Sequence, residues 1–377
     1  MTKSKSDNDG RRAAELQPCR LQPERISYSE LLLRESDPHN LESPFATLDE
    51  RITRTERFFI RSHFRAPSID PSSYRLSLRG TLRGEMDFSL EDLLALPSVT
   101  RTVTLECAGN GRILLSPQEA GVQWHLGAIG TAEWTGVPLQ SLLETAGIRP
   151  DAKEVVFEGA DSGRPRTPPR PPRPIAYAHS VPLSEAGRVL LAWEMNGKPL
   201  SLEHGFPLRA VVSGYYAMAS VKWLTCIHVV AEAFQGYFQT TDYAFWDEID
   251  GLAVRLPLST MGLKSSIARP VSGSVISAGS TITVFGAAWT GGAPVERIEI
   301  SANGGDSWHD AEILDPHVPG VWRRWQWIWN VPVQPGAYTL MPRASDRDGN
   351  VQPVAHDPRF GSYRIHHIIP VPVTVAS

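Results

Sequence analysis

Near Met261 the pattern of this sequence changes. Upstream, short β-type runs alternate with helical stretches, whereas beyond Pro270 the chain reads as short strands separated by turn signals. At 377 residues the chain is too long for one ordinary domain, so the change of pattern marks a boundary, expected at about residue 263. The expected class is α+β, with a mixed α/β unit over 39–262 and an immunoglobulin-like β-sandwich over 263–377. Residues 1–38 are charged, with sparse apolar positions, and read as a flexible polar tail carrying one short helix around Tyr28 to Arg34.

Local signals place the elements of the upstream unit. Ser89 is a suitable N-cap for SLEDLLAL, acidic residues fill its first turn and Pro97 stops it, which predicts a helix. A second helix is predicted over Pro138 to Gly147, opening on proline and closing on glycine. Strands are expected at Phe58 to Arg61, Tyr74 to Gly80, Val99 to Cys107 and through VVFEGAD. The run RPRTPPRPPRP, Arg164 to Pro174, holds six prolines and four arginines and can only be an extended surface loop, either solvated or offered to a partner. In the downstream unit Asn303-Gly304-Gly305 marks a hairpin turn. Trp325, Trp327 and Trp329 fall on one side of a strand, where core packing is the first expectation and an interface the second.

Charge narrows the function by exclusion. The 37 basic and 41 acidic residues leave a formal charge of -4, so no general basic field suggests nucleic acid. No apolar run approaches the ~20 residues that cross a bilayer, and no apolar stretch follows Arg11-Arg12. The expectation is a cytoplasmic protein that engages neither membrane nor nucleic acid, with a periplasmic location as the alternative if an export segment precedes the recorded start. Three cysteines, Cys19, Cys107 and Cys226, exclude a disulfide framework and a cysteine-built zinc site. Any functional cysteine therefore acts singly.

Two segments carry candidate chemistry. In TLECAGNGR, Thr104 to Arg112, a strand ends in one cysteine and is followed by small residues able to take positive φ, then an arginine. Such a turn can expose the sulfur and bring backbone amides close to a ligand. It can equally be a buried strand end beside an ordinary turn, or a nucleophile if a histidine is paired with it. The second segment, Glu203-His204-Gly205-Phe206-Pro207-Leu208-Arg209, is followed by SVKWL, Ser220 to Leu224. Its His, Arg and Lys suit an anion pocket, because guanidinium and ammonium groups offer charge-assisted hydrogen bonds to oxyanions.

Taken in order, FFIRSHF, TLECAGNGR, FEGADS, LLAWEMNGKPL, HGFPLRAVV, SVKWL and the terminal sandwich resemble the sulfite oxidase family of molybdenum enzymes, from about Leu41 to the C-terminus. The resemblance implies that 39–262 binds molybdopterin and that 263–377 is a dimerisation domain, making the protein a homodimer. It implies Cys107 as the one protein ligand of molybdenum, completed by molybdopterin dithiolene sulfurs and oxygen ligands. It implies a cofactor pocket formed by Phe59, Ile60, Arg61, Ser62, His63, Asp161, His204, Arg209, Ser220, Val221 and Lys222, with Arg209 and Lys222 on the phosphate. It further implies a substrate pocket of Arg61, Arg112, Arg359 and Tyr243 for a small anion, sulfite, oxidised by oxygen-atom transfer. No haem module is expected in the chain, so electrons would leave to an external acceptor, a cytochrome or dioxygen. Ser62, Gly111 and Ser220 depart from the family pattern, which leaves another sulfur or oxo compound as the alternative substrate. A cofactor-free binding protein is the alternative of another class.

Overall fold

The computed structural model of the protein describes residues 21–377. Cys19 lies outside the described residues. The upstream unit is built on two five-stranded sheets. In the first, Lys198–Pro199, Val189–Met195, Ile129–Pro138 and Val99–Glu106 follow one another, and Arg209–Val212 pairs with Val189–Met195. In the second the order is Met86–Ser89, Arg75–Gly80, Leu224–Val230, Glu154–Gly163, Ile175–Pro182. Both predicted helices form, as Leu90–Leu94 and Leu139–Ala146. The first is held by a reciprocal capping box, in which the Ser89 hydroxyl accepts from the Asp92 amide and the Asp92 carboxylate accepts from the Ser89 amide. The Arg/Pro run forms neither helix nor strand.

Beyond Leu263 the chain forms two stacked sheets. One contains Lys264–Arg269, Thr281–Trp289, Arg323–Asn330 and Glu312–Ile313; the other contains Val275–Ser277, Val371–Ala376, Gly336–Asp346, Val295–Ser301 and His309–Asp310. Trp325 and Trp329 are buried in the sandwich core, as their spacing predicts, while Trp327 is partly covered and stacks on His309. Gly286 sits directly opposite Trp325, and a Cβ there would come within 2.4 Å of the indole.

Strand periodicity joins the two units. Along Thr281–Trp289, Val284 and Ala288 point into the sandwich core, while Ala287 and Trp289 belong to the upstream core. The same strand thus lines both cores, and residues of the sandwich's outer face are buried against the strand that leads to Cys107.

Three expectations are corrected. Residues 28–34 are not helical: Leu32–Ser36 is a strand paired antiparallel with His39–Glu42 through the Asp37-Pro38 turn. Nor is the described part of the expected tail, 21–38, loose, because Leu21 and Leu31 are buried and Glu24 bridges to Ser201, while residues 1–20 lie outside the described residues. Its few apolar residues are spent on long-range contacts, which local composition does not reveal. Phe58 to Arg61 forms only a single bridge, Ile60 to Leu41, since a 3-10 turn at Thr55–Arg57 delivers it. No helix among the described residues is long and apolar enough to cross a membrane.

Candidate functional site

The strand Val99–Glu106 ends one residue before Cys107, which stands at the head of the turn that follows. Its amide donates to Ala128 O at 2.9 Å, and its carbonyl accepts from the Asn110 amide at 2.9 Å. Gly111 closes the turn at φ 102°, a left-handed conformation that favours glycine. The thiol is almost fully buried yet borders two cavities. Burial pushes its pKa up, and the nearby Arg61 and Arg112 guanidinium groups pull the other way by favouring the thiolate.

The inner cavity, about 660 Å³, is lined by the residues the motifs had singled out: Phe59 to His63, Asp161, His204, Arg209, Ser220 and Lys222. Val221 does not line it; its side chain is in the core, and its carbonyl accepts from the Ala210 amide. Arg209 and Lys222 are the notable groups. Arg209 donates to His204 O at 3.0 Å and Ser220 O at 3.1 Å, and its guanidinium lies over the Trp134 ring. Lys222 donates to Ser62 Oγ at 2.8 Å and Glu203 O at 2.7 Å. Neither has a carboxylate within ion-pair distance among the described residues. Burial brings the pKa of Arg209 down to about 9, and burial together with Arg209 lowers that of Lys222. Burial raises the carboxyl pKa of Asp161, with Lys222 opposing. His204 is held neutral, its pKa lowered to about 3 by burial and then by Arg209 and Lys222. Its Nδ1 meets Ser201 Oγ at 2.9 Å, while Nε2 is buried without a hydrogen-bond partner.

The outer basin, about 1310 Å³, shares Arg61, Ser62, His63, Cys107 and Tyr243 with the inner cavity. Arg112 lines it, its guanidinium anchored on Ser362 O at 3.0 Å and Val122 O at 2.8 Å and set over the Tyr363 ring. The Tyr243 hydroxyl is 2.7 Å from His63 Nε2, and burial raises its pKa, so it stays protonated. His63 is itself kept neutral, first by burial and then by Arg61 and Lys222, and stacks on Tyr177 at 4.6 Å.

Arg359 does not join this group. It is exposed, pairs with Asp357 at 2.7 Å and Asp247 at 2.6 Å, and lines neither cavity. The 3-10 turn Pro358–Phe360 sends Phe360 inward and leaves Arg359 outside. The basin instead contains residues the motifs did not single out: Arg34, Arg166, Asp242 and Tyr363. Arg166 comes from the Arg/Pro run, which walls the basin through Pro165 to Pro168 and pairs with Glu35. Asp242 adjoins Tyr243 in sequence, a signal that could have found it; Tyr363 had none. Tyr215 and Tyr216 are core residues that line neither cavity.

The donor set fits a molybdenum–molybdopterin group. Buried Arg209 and half-buried Lys222, neither with a carboxylate at ion-pair distance among the described residues, suit a phosphate, and His204 Nε2 lacks a partner. Among the described residues no group of three or more His, Cys, Asp or Glu could hold a metal ion. A metal at Cys107 therefore needs ligands brought by a cofactor. Cys226 is no candidate: it sits half-buried on Leu224–Val230 beside His228.

Comparison with known proteins points the same way. Residues 63–238 match the family described as oxidoreductase molybdopterin binding domain, and 255–359 match the Mo-co oxidoreductase dimerisation domain. The chain is 37% identical over 348 residues to the mitochondrial sulfite oxidase of Mus musculus, covering 87% of this chain and 62% of the relative. It is 32% identical over 372 residues to the sulfite oxidase of Arabidopsis thaliana, covering 89% of this chain and 91% of that one. Among solved structures, the sulfane dehydrogenase SoxCD from Paracoccus pantotrophus superposes with TM-score 0.77 and 28% identity, covering 93% of this chain and 90% of that one. The chain thus spans about 62% of the length of the mammalian relatives it matches.

Proposed function

The chain belongs to the sulfite oxidase family of molybdopterin oxidoreductases, and from that premise we propose that it oxidises sulfite to sulfate by oxygen-atom transfer and passes the electrons to an external acceptor. The observation that supports this most is the meeting of two cavities at Cys107: an inner one where Arg209 and Lys222 have no carboxylate at ion-pair distance among the described residues, and an outer one with arginines and a protonated tyrosine. When bound, the molybdenum–molybdopterin group supplies the two-electron oxygen-transfer chemistry.

The chain's own residues do the rest. Cys107 loses its proton and offers a thiolate, which Arg61 and Arg112 favour and burial opposes. Arg209 and Lys222 hold the cofactor's phosphate, Asp161 accepts from its amino groups, and His204 offers its free Nε2. Arg61 and Arg112 draw the sulfite dianion into a partly dry basin and offset its repulsion from other negative groups there. Tyr243 keeps its proton and would donate it in a hydrogen bond to the reacting oxygen, with His63 in the Nε2–H form donating to the tyrosine oxygen and so fixing the direction of the hydroxyl. The sandwich would pair two copies of the chain, and a cytoplasmic location belongs to the same reading.

A second reading is favoured by the likeness to a sulfane dehydrogenase, and by an outer basin that Arg34, Gln123 and Arg166 extend beyond Arg61 and Arg112. In that reading the substrate is another, larger sulfur compound. Both are tested with protein purified from a molybdopterin-competent host, assaying sulfite and other sulfur compounds with an artificial acceptor dye. Sulfite-dependent reduction supports the first reading, and reduction by a larger sulfur compound alone supports the second. Protein without molybdenum, and no reduction after reconstitution, contradicts both.

A further inference from the structure

The upstream unit and the sandwich meet behind Cys107 in a cluster that the reaction itself does not use. Glu106, the residue before the cysteine, is only 2% exposed, and Lys264, on the first strand of the sandwich, is 0% exposed. Lys264 Nζ donates to Glu106 Oε1 at 3.1 Å and to the carbonyl of Asn110 at 3.1 Å. Trp289, the direct register partner of Lys264, donates its indole N–H to Glu106 Oε2 at 2.8 Å. Asn110 completes the cluster: its Nδ2 donates to Glu106 Oε1 at 3.1 Å, and its Oδ1 accepts from the Ala128 amide at 3.0 Å. Ala128 is the residue whose carbonyl accepts from the Cys107 amide.

These bonds brace the cysteine turn at both ends. One ammonium group holds the residue before Cys107 and a carbonyl three residues after it, and both lie on the turn that fixes where the sulfur points. Burying the two charges gains little net stability over apolar packing of the same shape, so stability alone is a weak reason to have them. What the pair provides is geometry, because an unpaired Glu106 could not remain in this place.

We propose that Lys264, contributed by the sandwich, is a positioning residue for the Cys107 thiolate, so that the second unit takes part in building the metal site as well as in dimerisation. This rests on the reading of Cys107 as the molybdenum ligand. The role differs from scaffolding in one respect: it concerns the accessibility and direction of a single sulfur.

The test uses a Cys19→Ser, Cys226→Ser background, so that only Cys107 reacts, in cofactor-free protein treated with iodoacetamide. Lys264→Gln should raise the rate of Cys107 alkylation about tenfold or more, because the turn is released from one side. Trp289→Phe, which removes one donor and no charge, should give a smaller rise. Glu106→Gln with Lys264→Gln, which removes both charges and keeps amide hydrogen bonds, should return the rate to within about threefold of the parent. Should Lys264→Gln fail to fold, Trp289→Phe carries the test: faster alkylation of Cys107 supports the positioning role, and a parental rate overturns it.

In loaded enzyme the thiolate-to-molybdenum charge-transfer absorption should shift in Lys264→Gln and return in the double variant. Unchanged alkylation across the set overturns the positioning role while leaving Cys107 as the ligand. Parental protein that carries molybdenum but lacks any thiolate charge-transfer band overturns the ligand assignment, and the positioning role with it.

Discussion

On the two sides of Cys107 the protein encloses positive charge, and it treats that charge differently on each. Behind Cys107, Lys264 faces a carboxylate, and the donors and acceptors around it are matched within the chain. In front of Cys107, Arg209 and Lys222 face carbonyls, a hydroxyl and aromatic rings, with no carboxylate at ion-pair distance among the described residues. The first cluster is complete as folded. The second has cations in a cavity with no close counter-charge, the arrangement that the proposed anion site requires. Burial of charge alone does not distinguish a structural cluster from a binding site; the presence or absence of a counter-charge does.

The largest effect expected from this contrast is on Lys264. Lys264→Met leaves the Glu106 carboxylate buried and unpaired, and should cost about 3 to 5 kcal/mol in the unfolding free energy of cofactor-free protein. A loss below about 1 kcal/mol in denaturant titration would break the contrast.

Acid comes next. His204 and His179 are buried with pKa values lowered to about 3 and about 4, by burial first in both cases. An unfolded histidine takes up a proton near pH 6.5, whereas these folded ones do not until the pH is far lower. The unfolded chain therefore binds more protons in that window, and stability should fall as pH drops from about 6.5 toward about 4, by on the order of 2 to 3 kcal/mol for each histidine. A bound polyanion beside His204 should reduce that slope. Thermal melts across the window, with and without cofactor, measure it; identical slopes would count against the anion site.

Tyr243→Phe should lower kcat about tenfold, some 1.4 kcal/mol of barrier, with molybdenum content unchanged. Equal kcat would remove the hydroxyl from the reaction. The smallest stability effect belongs to Arg209. Because its charge is buried without a counter-charge, Arg209→Met should change the stability of cofactor-free protein by no more than about 1 kcal/mol, while cofactor retention falls sharply. Melting curves and elemental analysis of one preparation read both.

Legibility in the sequence followed the same division. The cavity residues sit in short contiguous motifs, FFIRSHF, HGFPLR and SVKWL, and all but Val221 of the expected lining reached the cavity. The helices were legible because their caps are local, as at Ser89. The Glu106–Lys264 pair spans 158 positions, and nothing near either residue announces the other. Arg359 shows the converse. The family resemblance implied it for the substrate pocket, yet Asp357 and Asp247 hold it at the surface, and Asp247 comes from a hairpin 112 positions away. The strand at Leu32–Ser36 was hidden for a like reason, since its few apolar residues owe their burial to distant partners.

X-ray absorption at the molybdenum edge tests the central claim most directly. If Cys107 is the protein ligand, purified protein will show the dithiolene sulfurs and a further thiolate sulfur around molybdenum, and Cys107→Ser will show that further sulfur lost. A sulfur shell unchanged by Cys107→Ser would contradict the account.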